Sequence, residues 1–232
     1  MKKYIRHLVL VLSMLSISSL FVGCDYSDGY DEGYEQAQDM DGNIKKPIIY
    51  IYPEEPTDVK MELSLKNEEL TCVYPKNKTL TDNSIEWNVR ASEDGTLKDY
   101  DTGLDLYSLY WEPNGESSVD FSTGSCVKGE ETSEFLNDRL RALGLNAKET
   151  EEFIVYWLPK MESNKYNLIS FDTESYTENA ELSLTPEPDS LIRVFMSFKG
   201  SDKFIKLQEQ DLGSTPSREG YTVVEWGGTE VK

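Results

Sequence analysis

From Lys46 onward the apolar residues fall into two patterns, and each predicts a kind of element. In "VKMELSL", Val59, Met61, Leu63 and Leu65 alternate with charged or polar residues, the period of a strand with one apolar face. "PIIYIYP" reads as a strand bounded by Pro47 and Pro53, and "LTCVYP", "SIEWNVRA" and "LYSLYWEP" extend the series. The turn signals "EDGTL" and "PNGE" separate them. So many short strands in succession predict an antiparallel sheet or small sandwich. The period then changes. "TSEFLNDRLRALGL" places Phe135, Leu136, Leu140 and Leu143 at helical spacing, with Thr132 or Ser133 as N-cap and Gly144 where a left-handed residue ends a helix. "NAKETEEFIVYWLP" follows with Asn146 capping toward Glu149, acids in the first turn, and Pro159 as a stop. The uninterrupted run Phe153 to Leu158 predicts that this second helix is largely buried.

Strands return in "YNLISFDT", "AELSLTP", "LIRVFMSFK" and "YTVVEWGG". The fold class predicted is therefore α+β: an antiparallel sheet or small sandwich, an inserted helical hairpin and further C-terminal strands. Residues 46–116 form the β-rich region and 117–232 the hairpin with its strands. Because the late strands can pair with the early sheet, one compact unit and two subdomains are equally compatible with the pattern.

The first residues differ from all of this. "MKKYIRH" carries Lys2, Lys3 and Arg6 without an acid, and Leu8 to Val22 run uncharged. That is a basic start followed by an apolar stretch shorter than the ~20 residues a membrane-spanning helix needs. It ends in "LFVGC", Leu20 to Cys24, which resembles the lipobox of bacterial lipoproteins, with Phe21 where a leucine is usual. The resemblance implies that residues 1–23 are a signal peptide cut between Gly23 and Cys24. It also implies that the Cys24 thiol carries a diacylglyceryl group, anchoring the protein to the extracytoplasmic face of a bacterial cell membrane. Several acyl chains, at ~0.8 kcal/mol per buried methylene, make such an anchor effectively permanent. Residues 24–45, "CDYSDGYDEGYEQAQDMDGNIK", are acidic and poor in aliphatic side chains, which predicts a flexible spacer. The four-residue recurrence of Tyr26, Tyr30 and Tyr34 offers a tyrosine-striped helix as the alternative.

Composition narrows the chemistry. With 23 Lys plus Arg against 43 Asp plus Glu, the net charge is −20, and removing Lys2, Lys3 and Arg6 leaves the remainder more acidic still. Such a chain repels phosphate backbones, so nucleic acid is not an expected partner. The one histidine, His7, lies in the leader. Without imidazole there is no serine–histidine or cysteine–histidine nucleophile and no histidine-ligated zinc. Cys72 and Cys126 remain beyond Cys24, and can either form a disulfide or stand as separate thiols. The partial calcium-loop patterns "DMDGN" and "DYDTG" have Tyr50 and Tyr110 at the twelfth position, where such loops need glutamate, so no metal site is expected. Nothing in the sequence points to a cofactor.

"KPIIYIYPEE", "EFIVYWLPKME", "YNLISF" and "TVVEWGG" resemble blocks shared by a set of bacterial exported proteins of unknown function. The resemblance implies one evolutionary unit and supplies no catalytic residue. Trp157, Tyr156 and Trp226 in those blocks are expected in the core. "SCVK", Ser125 to Lys128, fits the S-x-x-K of penicillin-binding proteins formally, but no K-T-G accompanies it. Glu112 after "LYW" and Glu225 before "WGG" stand beside aromatic residues, yet read as exposed strand-end acids. The expectation is a non-enzymatic binding or interaction module, its partner an envelope polymer or a protein. The alternative is a carboxylate-dependent hydrolase of envelope glycan or another extracellular polymer, with two acids flanking an aromatic cleft.

Overall fold

Strand β1 (Ile44–Tyr52) shows why the apolar runs of this chain are continuous. Ile49 and Ile51 face one core and Ile48 and Tyr50 another, so both faces of the strand are buried. The computed structural model describes residues 44–115, 119, 121–171 and 173–231. Cys24, Gly23, the leader and the predicted spacer up to residue 43 lie outside the described residues. All described residues belong to one compact unit, Met40–Lys232.

The further strands are β2 (Thr57–Leu65), β3 (Leu70–Tyr74), β4 (Ser84–Ala91), β5 (Leu97–Asp99), β6 (Asp105–Leu106), β7 (Leu109–Pro113) and β8 (Ser125–Lys128). Helices α1 (Thr132–Ala142) and α2 (Ala147–Met161) follow, then β9 (Tyr166–Phe171), a short α3 (Thr173–Asn179), β10 (Ala180–Thr185), β11 (Ser190–Ser201) and β12 (Thr222–Glu230). They build a seven-stranded sheet in the order β3-β7-β1-β12-β11-β9-β8 and a five-stranded sheet in the order β10-β2-β4-β5-β6. Early and late segments interleave in both, since β12 lies beside β1 and β10 pairs with β2.

The fold is α+β in three layers. Between the sheets, the alternating Val59, Met61, Leu63 and Leu65 of β2 and Ile85, Trp87 and Val89 of β4 meet Ile49, Ile51, Leu109, Trp111 and Val223. The opposite face of the seven-stranded sheet packs on α1 and α2 through Ile48, Val194, Met196, Phe198, Val224 and Trp226, against Leu136, Leu140, Phe153 and Trp157. Full burial of each large apolar side chain contributes about 1.5–3 kcal/mol. The two glycines of "WGG" permit this packing. A Cβ on Gly228 would lie 2.6 Å from the Met196 carbonyl oxygen and 2.8 Å from Trp157, and one on Gly227 would lie 3.3 Å from Pro47.

Local signals explain most of the helix ends. Gly144, at φ 95°, donates to the Arg141 carbonyl while Leu145 donates to that of Leu140, closing α1 as a Schellman turn. Asn146 and Glu149 form a complete capping box at the start of α2. Other expectations are corrected. Neither Thr132 nor Ser133 is an N-cap; a 3-10 turn, Gly129–Glu131, feeds α1, and the Thr132 hydroxyl donates back to the Lys128 carbonyl. Pro159 lies inside α2, where it removes a bond to the carbonyl of exposed Val155, and the helix runs on so that Met161 reaches the core. The run Phe153–Leu158 is buried on one face only: Phe153 and Trp157 are covered, while Val155 is 68% exposed.

One strand pair also departs from the antiparallel expectation. β11 and β12 run parallel, which requires a crossover connection. Residues 202–221 supply it without a helix of their own. They lean on the helical layer: Leu212 packs into that core, and Arg218 donates to Glu149 and to the Gly144 carbonyl.

Candidate functional site

A bulge in β1 begins the site. Its register with β12 passes from Lys45 opposite Gly228 to Ile48 opposite Trp226, so β1 carries one extra residue there. Lys46, within the bulge, sits at φ 61° and precedes Pro47, a left-handed conformation that L-residues seldom adopt. Its backbone N–H is turned to Glu112 on β7, which accepts at 3.0 Å, and the Lys45 ammonium approaches the same carboxylate at 3.9 Å. The bulge aims the Lys46 ammonium between two rings, 5.7 Å from the centroid of Tyr110 and 5.5 Å from that of Tyr156.

Helix α2 supplies the facing wall. Its first turn carries Lys148, whose ammonium lies 4.4 Å from the Tyr107 centroid and 6.0 Å from that of Tyr50. One turn later Glu152 accepts a short hydrogen bond from the Tyr50 hydroxyl. Tyr50 itself stacks on Tyr52, two residues on along the same face of β1, with ring centroids 6.3 Å apart. Tyr107 comes from the link between β6 and β7 and is half exposed. Each ammonium–ring contact contributes about 0.5–1 kcal/mol when it is open to water.

Lys46, Lys148, Tyr107 and Tyr156 line an open groove of about 500 Å³, with Glu151, Glu152 and Val155 on the helix side. A second hollow of about 400 Å³ shares Lys46 and Tyr107 and continues over Tyr74, Tyr110 and Asp105. Tyr74, Tyr107 and Val155, three large side chains exposed on this domain, all lie here. An exposed aromatic patch rimmed by charges marks a binding surface.

The phenols of the groove are held neutral. Burial, reinforced by the Glu152 carboxylate, pushes Tyr50 well above the ordinary phenol range. Tyr110 moves the same way through burial and Glu112, and Tyr107 through burial and the charge of Glu152. Tyr107 and Tyr110 therefore offer neutral hydrogen-bonding groups with a flat apolar face, while the hydroxyl of buried Tyr50 donates to Glu152 beneath the groove.

The two acids picked out in the sequence do not meet. Trp111 of β7 faces the inter-sheet core, so Glu112, its neighbour along the strand, faces the helical side, where it anchors the bulge. Glu225 is fully buried on the inter-sheet side, contrary to its reading as an exposed strand-end acid. There it accepts from Arg193 at 2.6 Å and from the Trp111 indole at 2.9 Å. Arg193 also donates to the Ala180 carbonyl and lies over the Tyr176 ring, linking the seven-stranded sheet to α3 and to the start of β10. The acid survives at 0% exposure because β11 places an arginine beside it in register.

Of the two alternatives for Cys72 and Cys126, the structure has the separate thiols. Both thiols are free, and they occupy β3 and β8, the opposite edges of the seven-stranded sheet. Six strand steps of about 4.8 Å separate them by on the order of 29 Å, far beyond the reach of a disulfide. "SCVK" forms β8 itself, where residues three apart point to opposite faces. Lys128 turns away from Ser125 and pairs with Glu131 at 2.8 Å. Asp99, from the calcium-loop pattern, is buried and accepts from the Thr102 N–H at 2.8 Å, closing a turn. Among the described residues no cluster of acids, cysteines or histidines could hold a metal ion.

Trp157 and Trp226 are core residues, as expected, whereas Tyr156 is half-buried and lines the groove. Lys46, Lys148 and Tyr107 are site residues that sequence reasoning missed. Only the lysine before Pro47, at the head of an apolar run, carried a visible signal. No protein-family model, curated protein or solved structure matches this chain.

Proposed function

We propose that the protein is a lipoprotein anchored through Cys24 to the outer face of a bacterial cell membrane, and that its folded domain binds an extended polymer without converting it. The observation that carries the binding role is the tyrosine- and lysine-lined groove. It is open along its length, offers flat apolar faces beside donors and acceptors, and is positioned by a strained bulge. Tyrosine faces suit the C–H faces of sugar rings, while lysine ammoniums and glutamate carboxylates suit hydroxyl groups. Strain held at a surface site supports a role in binding. Among the described residues no helix is long and apolar enough to cross a membrane.

Two measurements test it. Mass spectrometry of the native N-terminus should find an acylated Cys24, and a free thiol or a retained leader would refute the anchor. Titration of the protein with oligosaccharide fragments of bacterial envelope should show binding that Tyr107→Ala weakens. Binding indifferent to that change would refute the groove.

A hydrolase remains the second reading because Glu151 and Glu152 both line the groove. As helix neighbours they diverge by about 100°, so they do not flank one bond from opposite sides. Release of new reducing ends from a bound oligosaccharide, lost in Glu152→Gln, would favour this reading over the first.

A further inference from the structure

We infer that the polymer is anionic, a chain of sugar rings bearing carboxylate or phosphate groups that are read by Lys46 and Lys148. This rests on the groove being a polymer site, and it adds the charge of the ligand. Lys148 has Glu151 and Glu152 three and four residues further along its own helix, the spacing at which helical charges pair. It nevertheless forms no ion pair among the described residues, and its ammonium lies on the Tyr107 and Tyr50 rings. Glu152 is turned to the Tyr50 hydroxyl instead. Lys46 repeats the arrangement. Glu112 is occupied by the Lys46 backbone N–H and by Lys45, and the Lys46 ammonium rests between Tyr110 and Tyr156.

The ammoniums of Lys46 and Lys148 are thus both held on aromatic rings, and each faces two of them. A ring face orients an ammonium without neutralising it, and its hold is weak enough to yield to an incoming anion. Asp105, which lines the second hollow, is already paired with Lys98 at 2.9 Å. Lys46 stands where the two hollows join, so an anionic group there would leave rings on either side to stack on Tyr107 and Tyr110. Because the net charge of −20 repels a polyanion at long range, capture depends on these short contacts and on the sugar faces.

The test is calorimetric titration of the whole protein with three probes: oligogalacturonate, an uncharged galactan fragment of equal length, and a sugar-phosphate polymer. One of the charged probes should bind at least about tenfold more tightly than the galactan, as one charge-assisted contact provides. Lys46→Gln and Lys148→Gln should each remove that advantage, Lys46→Arg should restore most of it, and the exposed Lys66→Gln should change nothing. Preference for oligogalacturonate assigns carboxylate, and preference for the sugar-phosphate assigns phosphate. Equal binding of all three probes, or a charge preference untouched by both lysine changes, overturns the inference while the polymer site stands. Absence of binding to any of them overturns both. Unchanged thermal melting of the glutamine variants separates lost contacts from lost folding.

Discussion

Replacing Lys46 by glycine and, separately, by alanine should reverse the usual order of stability in a strand. Within an ordinary strand glycine is the weaker residue by about 0.5–1 kcal/mol, because it loses more freedom on folding. Lys46 is held at φ 61°, where a Cβ crowds the following carbonyl at a cost of about 1–2 kcal/mol, and Pro47 restricts it further. Both variants lose the ammonium and its two ring contacts, so those terms cancel in the comparison. Relief of strain outweighs the entropy penalty, and the glycine variant should be the more stable by about 1 kcal/mol. At a urea dependence of about 2 kcal/mol per molar, the unfolding midpoints should differ by about 0.5 M. Equal midpoints, or alanine above glycine, would refute the left-handed bulge. Both variants should lose the charge preference of the groove, so the glycine protein would be the sturdier of the two and still bind poorly.

Glu225→Ala leaves Arg193 buried beside an empty position and should destabilise the fold by about 3–5 kcal/mol in urea unfolding. Pairing Glu225→Leu with Arg193→Met should recover most of that loss, whereas an unchanged midpoint in the single variant would contradict the buried pair. Alkaline stability should fall in a defined window. Burial pushes Tyr221 up to about 12 and raises Tyr50 and Tyr110 further, so the folded state favours the neutral phenol. That contribution is complete below the ordinary value of 10.0 and is lost as pH rises above it, so urea midpoints should decline from there. Phenolate absorbance from these rings should appear with unfolding, not before it. Finally, Cys72 and Cys126 should both react with a thiol reagent in unreduced protein, and Cys72→Ser should leave the oxidised melting temperature unchanged; a drop would signal a disulfide that the sheet order forbids.

Sequence carried the elements better than their meetings. β2 was legible because one face is wet, and β12 because both are covered; the capping box and Gly144 fixed the helix junction. Features set by distant partners were not legible. Glu225 looks like an exposed strand-end acid until β11 brings Arg193 to it across 32 residues. Pro159 looks like a stop, but in the last turn it forfeits only a bond that water replaces at exposed Val155. The groove draws on a bulge in β1, the link after β6 and the first turns of α2. No local period announces a convergence from three segments. Tyr156 was assigned to the core because its run is apolar, and helical geometry turned it outward with Val155.

The position of β12 has a consequence in time. It fills the slot between β1 and β11 at the heart of the larger sheet, yet follows every other described strand in chain order. Until residues 222–230 arrive, β1 and β11 each present a bare edge, and neither half of the sheet can close its core. Completion of the domain therefore waits on its last strand. A chain emerging N-terminus first would stay open along this seam, and would lock only once that strand slides home.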